Sequence, residues 1–182
     1  EGYFENEEET AVYFRHNDGW GWSGDLAVSD EDGFITLVGR SKEMIVSGGI
    51  NIYPREVEIV LEDHAAVSEC TIFGVPDDRW GEALIAYVVP DKDAADISED
   101  DLLAHCTDQL ARYKRPREIV FVKNIPKTPS GKIQKPLLRD AYLARAAMQA
   151  LLETGGPVAV ITGNGHARSD WGATALIRQL DA

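Results

Sequence analysis

Lys132 ends the run Pro126-Lys127-Thr128-Pro129-Ser130-Gly131-Lys132. The stretch from Lys123 to Lys132 holds two prolines, one glycine and three lysines, which predicts a mobile, exposed, cationic loop. A lysine there offers an anion a compact positive charge on a long stem; it reads equally well as a solvated surface group. Gly48 and Gly49 are adjacent, so either the turn needs positive φ or something approaches the backbone closely. Asp25 follows Gly24, a frequent setting for a turn-capping aspartate, and Arg40 on its own reads as half of a surface ion pair. Residues 112–145 hold ten of the chain's eighteen basic residues against two acids, Glu118 and Asp140. Such a field suits a small anionic ligand, for instance a phosphorylated cofactor. Charge alone favours a plain solvated face. Cys70 and Cys106 are far apart and lack metal-ligand spacing, which argues against a zinc site or a disulfide framework and fits a reducing, cytosolic setting. His64 and His105 fall in helical patterns and read as structural, and Trp20 and Trp22 as packing or interface residues.

The elements that must carry these residues form a mixed pattern. Residues 26–40 read as a hairpin around Asp30-Glu31-Asp32-Gly33. Met44-Ile45-Val46 is a short strand ending at the glycine pair, and Leu37 belongs to a strand just before it. Pro54 opens a helix with an apolar stripe of Val57, Val60, Leu61 and His64. Strands are expected over 67–75, 83–89 and 119–122, with Pro76-Asp77-Asp78 and Gly81 between the first two. Ser98 caps a helix carrying Leu102, Leu103, Cys106 and Leu110, with Asp101 completing a weaker form of the capping box. Residues 136–152 are expected to be helical, Pro157 to Thr162 a buried strand, and 172–180 a last helix. The expected fold class is α+β: a short hairpin, then a small mixed sheet with packed helices, then an atypical strand–helix tail.

Composition narrows the function classes. The 182 residues are 44% hydrophobic and 27% charged, enough for one globular core plus a short extra unit, and too apolar for a disordered chain. A formal charge of −13 argues against a nucleic-acid partner. No apolar run approaches the ~18 residues of a membrane span, and the first thirty-two residues carry ten acids and one base, unlike a signal peptide.

Three stretches together are specific: Gly19-Trp20-Gly21-Trp22-Ser23-Gly24-Asp25, then the run from Gly39-Arg40-Ser41-Lys42-Glu43 through Ser47-Gly48-Gly49-Ile50-Asn51-Ile52-Tyr53-Pro54 to Glu58, then Pro126 to Ile133. With Gly74-Val75-Pro76-Asp77, Trp80-Gly81-Glu82 and Tyr113-Lys114-Arg115-Pro116, they resemble the C-terminal part of the adenylate-forming superfamily, over about residues 1–140. That superfamily comprises acyl-CoA synthetases, peptide-synthetase adenylation domains and luciferases. Ser23 stands where the family usually has Thr and keeps the hydroxyl.

The resemblance implies a domain organisation and a set of roles. Residues 1–41 would be the end of a large N-terminal domain and the approach to a hinge, 42–140 a lid domain, and 141–182 an extension. Lys132 would be the catalytic lysine that contacts the carboxylate and a ribose-phosphate oxygen during adenylation. A fixed ammonium lowers the energy of a charge-dense phosphoryl transition state. Asp25 would accept hydrogen bonds from the ribose hydroxyls of ATP, with Arg40 on ribose or phosphate and Leu37 flanking the nucleotide. Lys42 would be the hinge, Gly48 and Gly49 would line the pantetheine path of CoA, and the basic cluster would help hold the CoA 3′-phosphate. The implied reaction joins a fatty or aryl carboxylic acid to AMP and then to CoA. ATP, CoA and Mg²⁺ are its cofactors, the metal being held by the N-terminal domain, which this chain lacks. Alone, the chain is expected to be inactive. Residues 141–182, with Gly163-Asn164-Gly165-His166-Ala167-Arg168, resemble the end of a ChaN-like haem-binding uptake protein. The competing readings are a non-catalytic nucleotide- or CoA-binding module and a fusion with a haem-uptake tail.

Overall fold

The computed structural model describes residues 2–16, 18–94, 97–160 and 172–180. The chain divides into two units, residues 1–120 and 121–182.

In the first unit a short helix, α1 (Glu7–Tyr13), starts at Asn6, whose side chain accepts the Glu9 N–H at 3.0 Å. Glu7, Glu8 and Glu9 sit in its first turn, where the helix end is positive. No residue of α1 is buried, so it left no apolar stripe by which to be read. The expected hairpin is present as antiparallel β1 (Asp25–Ser29) and β2 (Ile35–Arg40). Asp30 Oδ1 accepts the Asp32 and Phe34 N–H groups, and Gly33 turns at φ +83°. Leu26 faces Gly39 and Ala27 faces Leu37, so Val38 is the extra residue of a bulge. A 3-10 turn, Ser41–Glu43, leads into β3 (Ile45–Ser47) and β4 (Ile50–Ile52). Gly48 and Gly49 join these strands with φ of +59° and +78°, the geometry of a two-residue primed turn. β4 was not expected; three residues are too few to show alternation.

The main sheet has the order β4-β3-β6-β5, with β7 (Glu118–Phe121) also pairing β6. Its centre is the antiparallel pair β5 (Val67–Asp77) and β6 (Gly81–Pro90). Both strands run longer than expected, so Pro76, Asp77 and Gly81 are strand ends and the turn is Asp78–Trp80. α2 (Pro54–Glu62) and α3 (Glu99–Gln109) cover the sheet. Val57 and Leu61 of α2, Ile72 of β5, Ala86 and Val88 of β6, and Leu102 and Cys106 of α3 form one fully buried cluster. Each of its valine, leucine and isoleucine side chains contributes ~1.5–3 kcal/mol through burial. His64 lies beyond the end of α2. Glu58 pins α2 to β5: its Oε1 accepts the Ile72 N–H at 3.0 Å and the Thr71 hydroxyl at 3.3 Å. The capping box at Ser98 and Asp101 is complete in both directions. Cys70 and Cys106 are free thiols in the core. Burial pushes both up, Cys106 to about 11 and Cys70 further, with Glu62 and Glu58 adding to the effect on Cys70.

In the second unit, Lys127 and Ile133 form a β-bridge, and α4 (Lys135–Thr154) begins with Pro136 in its first turn. It ends where Gly155, at φ +63°, returns its N–H to the Leu151 carbonyl at 2.9 Å, an αL cap. α5 (Ala173–Leu180) corresponds to the expected last helix. The buried strand expected over 157–162 is not formed in its described part. Residues 157–160 have no strand pairing and are exposed, Val158 by 37% and Val160 by 46%. An apolar run without a neighbouring ladder has nowhere to satisfy its amides as a strand. Residues 161–171, with the glycine-rich run 163–168, lie outside the described residues. Among the described residues no helix is long and apolar enough to cross a membrane. The fold class is α+β, as expected.

Candidate functional site

An open cavity of about 850 Å³ lies in the first unit, bounded by the β3–β4 turn, the β5–β6 turn and the 3-10 turn Arg112–Lys114. Ser47, Gly48 and Ile50 form one wall, Asp77, Asp78, Arg79 and Trp80 a second, and Arg112, Tyr113, Arg115 and Arg117 a third.

Backbone pairing fixes the first two walls together. Ser47 pairs with Gly81, and the Gly48 N–H donates to the Trp80 carbonyl at 2.8 Å. The Trp80 ring then lies so close that a Cβ on Gly48 would sit 2.9 Å from it. Asp77 folds the β5–β6 turn by accepting the Arg79 and Trp80 N–H groups at 3.0 and 2.9 Å. Its side chain is only 7% exposed and also pairs with Arg117. The Trp80 amide foremost, then the Arg79 amide and the Arg117 guanidinium, hold the Asp77 carboxyl below the usual carboxylate range.

The third wall is tied down by ion pairs and caps. Lys114 pairs with Glu56 of α2, and the hydrogen bond its ammonium donates to the Glu56 carboxylate pushes the Lys114 pKa up. Arg115 donates to the Leu110 carbonyl at 3.0 Å and to the Thr107 carbonyl at 3.1 Å, serving the open C-terminal end of α3. Arg117 is held by Asp77 and by its own N–H to the Leu84 carbonyl at 2.8 Å. Two of the cavity's four arginines are therefore engaged in holding the fold. Arg79 lies over the Trp80 ring at 4.8 Å, and Arg112 is exposed at the start of its turn. Among the described residues neither has a carboxylate partner, so both can take an external anion.

A second constellation sits on the hairpin. Asp25 and Arg40 are cross-strand partners, and Arg40 Nε donates to Asp25 Oδ1 at 2.7 Å. The Asp25 N–H donates to Ser23 Oγ at 3.2 Å, and Gly24, at φ +79°, accepts the Ser41 N–H through its carbonyl at 2.9 Å. The Arg40 guanidinium, with Ser23 second, holds the Asp25 carboxyl below its ordinary range. Leu37, three residues before Arg40 on β2, is 67% exposed. Lys42 is exposed in the 3-10 turn that joins the two-stranded sheet to the main sheet.

Lys132 belongs to the second unit. Its loop was expected to be mobile; it is a hydrogen-bonded turn. The Thr128 N–H donates to the Lys132 carbonyl at 2.8 Å, the Lys132 N–H to Thr128 Oγ1 at 3.1 Å, and the Gly131 N–H to the Thr128 carbonyl at 2.8 Å. Gly131 takes φ +84°, and the Thr128 and Ser130 hydroxyls lie 2.9 Å apart. The backbone at Lys132 is thus fixed while the residue itself is exposed. No group of three or more His, Cys, Asp or Glu among the described residues could hold a metal ion.

The structure brings Asp25 to Arg40 and sets the glycine pair beside an arginine-lined cavity. Trp80, Tyr113 and Arg79 have no role in the sequence reading, and Arg112 enters it only as one of the basic cluster at 112–145. Trp80 and Tyr113 were visible within family-like motifs, but only the register of β3 against β6 puts them around Gly48.

A small sheet covered by helices, with an arginine-lined cavity beside a glycine turn, characterises the first unit, and comparison with known proteins names the family. Residues 56–132 match the AMP-binding enzyme C-terminal domain. A feruloyl-CoA synthase of Amycolatopsis sp is 48% identical over 141 residues, covering 78% of this chain and 28% of that protein. The long-chain-fatty-acid–CoA ligase FadD13 of Mycobacterium tuberculosis is 40% identical over 142 residues, covering 78% and 27%. The crystal structure of ATP-bound MatB from Rhodopseudomonas palustris superposes with a TM-score of 0.71 at 38% identity, over 78% of this chain and 28% of that one. The chain belongs to the adenylate-forming superfamily and carries its C-terminal domain. It spans little more than a quarter of the length of these relatives. The likeness of residues 141–182 to a haem-uptake protein finds no support among them.

Proposed function

We propose that the chain is the lid of an ATP-dependent acyl-CoA synthetase. Residues 1–41 end the large domain, 42–140 form the lid and 141–182 are an extension. The named relatives are CoA ligases or an ATP-bound member of the superfamily, which supports the reading. The observation that carries it is the cavity in which a two-glycine turn meets an aromatic wall and two arginines that have no carboxylate partner among the described residues.

The chemistry has two stages. In the first, a carboxylate oxygen attacks the α-phosphorus of ATP, pyrophosphate leaves and acyl-AMP forms. Lys132, its backbone clamped by Thr128, presents an ammonium to the carboxylate and phosphate oxygens where negative charge concentrates. Asp25 accepts from the ribose hydroxyls, Arg40 leaves its ion pair in part to meet ribose or phosphate, and Leu37 flanks the nucleotide. In the second stage the CoA thiol attacks the acyl carbonyl, AMP leaves and the thioester forms. A change of backbone dihedrals at Lys42 swings the lid between the two poses. Gly48 and Gly49 leave room for the pantetheine arm, Trp80 and Tyr113 offer faces to the adenine, and Arg112 and Arg79 meet the 3′-phosphate.

Titration calorimetry of the chain with CoA and with dephospho-CoA tests this directly. CoA is expected to bind the more tightly, and Arg112→Ala with Arg79→Ala to abolish the preference without changing the unfolding midpoint. Absence of heat with either ligand, or a preference untouched in the double variant, would overturn the assignment.

A further inference from the structure

We propose that Glu82 is a positioning residue that sets the height of the Gly48–Gly49 turn, with Gly74 as the space that lets it do so. The inference rests on reading that turn as the path of the CoA arm.

β3 is joined to the centre of the sheet by very little. Its only residue-for-residue pairing with β6 is Ser47 with Gly81, followed by the Gly48 N–H to Trp80 carbonyl bond. In the β3–β4 hairpin Ser47 faces Ile50 next to the turn and Val46 faces Asn51, so the Val46 amide points away from β4, towards β6. The Val46 N–H does not end on the β6 backbone. It donates to Glu82 Oε2 at 2.7 Å. A side-chain carboxylate thus stands in for a ladder bond, one residue before the Ser47–Gly81 pair that precedes the turn. Gly81 begins β6 at φ +79°, a left-handed residue that helps carry the strand away from regular pairing here.

The carboxylate occupies the place where a side chain of β5 would otherwise be. On β5, Pro76 faces Glu82 and Gly74 faces Leu84. A Cβ at Gly74 would lie 2.7 Å from Glu82 Oε1, 3.1 Å from Glu82 Cδ and 3.1 Å from Ile45 Cγ2. Gly74 is buried with an ordinary negative φ, so its backbone does not require glycine. What requires glycine is the curled Glu82 side chain together with Ile45, the first residue of β3. Glu82, Gly74, Val46 and the Gly48 turn therefore form one mechanical unit. If the carboxylate is lost, β3 keeps only its Ser47–Gly81 register and the Gly48–Trp80 bond, and the turn is free to shift against the tryptophan wall.

Glu82→Ala, Glu82→Gln and Gly74→Ala in the full chain test this with two readouts. The first is amide hydrogen exchange at Val46, with Ile72, whose N–H is held by Glu58, as the internal control. Glu82→Ala should speed Val46 exchange at least tenfold, roughly the loss of one charge-assisted hydrogen bond, and leave Ile72 unchanged. Glu82→Gln keeps a carbonyl acceptor and should restore most of the protection. Gly74→Ala should displace the carboxylate and mimic Glu82→Ala. The second readout is affinity, probed with CoA and dephospho-CoA. Glu82→Ala should weaken both by the same factor, about tenfold, because the turn and not the phosphate contact is disturbed. Unchanged Val46 exchange in Glu82→Ala, or Glu82→Gln behaving like alanine, overturns the pin. Weakened Val46 protection with CoA affinity intact overturns its link to the turn. If the wild-type chain binds neither ligand, the CoA reading of the cavity falls, and with it the functional half of this proposal, while the exchange data still decide whether the pin exists.

Discussion

Replacing Gly48 and Gly49 one at a time by alanine separates backbone geometry from contact. Both residues hold positive φ, +59° and +78°, where an L side chain costs ~1–2 kcal/mol. At Gly49 a Cβ would meet nothing within 4 Å, so Gly49→Ala should cost that amount and no more. At Gly48 the Cβ would come within 2.9 Å of Trp80 Cε3 and 3.3 Å of Cζ3. The Trp80 ring must move. Because it is 50% exposed it can move outwards, which keeps the added cost near the low end of the overpacking range, ~1 kcal/mol. Gly48→Ala is therefore expected to lose ~2–3 kcal/mol in urea unfolding against ~1–2 kcal/mol for Gly49→Ala, with equal m-values. The displaced ring also leaves the cavity wall. A base stacked on an aromatic ring contributes ~1–3 kcal/mol, so CoA affinity in Gly48→Ala should drop by about tenfold or more, against less than about twofold in Gly49→Ala. Equal losses of stability in the two variants, or an affinity loss confined to Gly49→Ala, would refute the placement of Trp80 against the turn.

Other expectations follow from the same geometry. The Asp25 carboxyl, held low by Arg40, contributes stability that is complete above the ordinary carboxylate range and disappears as pH falls through its depressed folded value. NMR titration of that carboxyl should show a low midpoint that rises towards the ordinary value in Arg40→Ala; an unmoved midpoint contradicts the pairing. Cys70 and Cys106, buried and pushed upwards, should resist a thiol reagent at pH 7.5 in the folded chain and react once it is unfolded. Rapid labelling of either in the native state would place it outside the core. Ser98→Ala should cost α3 about 1 kcal/mol by removing the cap on the Asp101 N–H, read from the urea midpoint. No change there would mean the capping box does not hold the helix.

Residue pattern exposed much of this domain and concealed some of it, for definable reasons. The Asp30–Gly33 hairpin, the Pro54 helix and the Ser98 cap were legible because each rests on local chemistry: a turn glycine, a fixed φ, a hydroxyl three residues before an amide. The β5–β6 pair was legible as apolar runs. Its ends were not, because Pro76 and Gly81, ordinarily turn residues, sit at strand ends here. β4 and α1 were missed: one is three residues long and the other buries nothing. The apolar run at 157–160 misled, since hydrophobicity without a pairing partner does not make a strand. Of the candidate site, the glycine pair, Asp25, Arg40 and Lys132 could be chosen from motifs. The division of the arginines could not: that Arg115 caps α3 and Arg117 holds Asp77, leaving Arg79 and Arg112 available, depends on contacts between residues up to forty positions apart.

The central claim, that this chain supplies a moving lysine to a nucleotide site on a larger domain, is tested most directly by complementation. The chain is added to the feruloyl-CoA synthase of Amycolatopsis sp from which the corresponding C-terminal segment has been deleted, and feruloyl-CoA is measured after addition of ferulate, ATP, Mg²⁺ and CoA. The account predicts restored thioester formation with the wild-type chain and none above background with Lys132→Ala, although the variant folds identically. Failure of the wild-type chain to restore activity at any concentration, or equal restoration by Lys132→Ala, would contradict it.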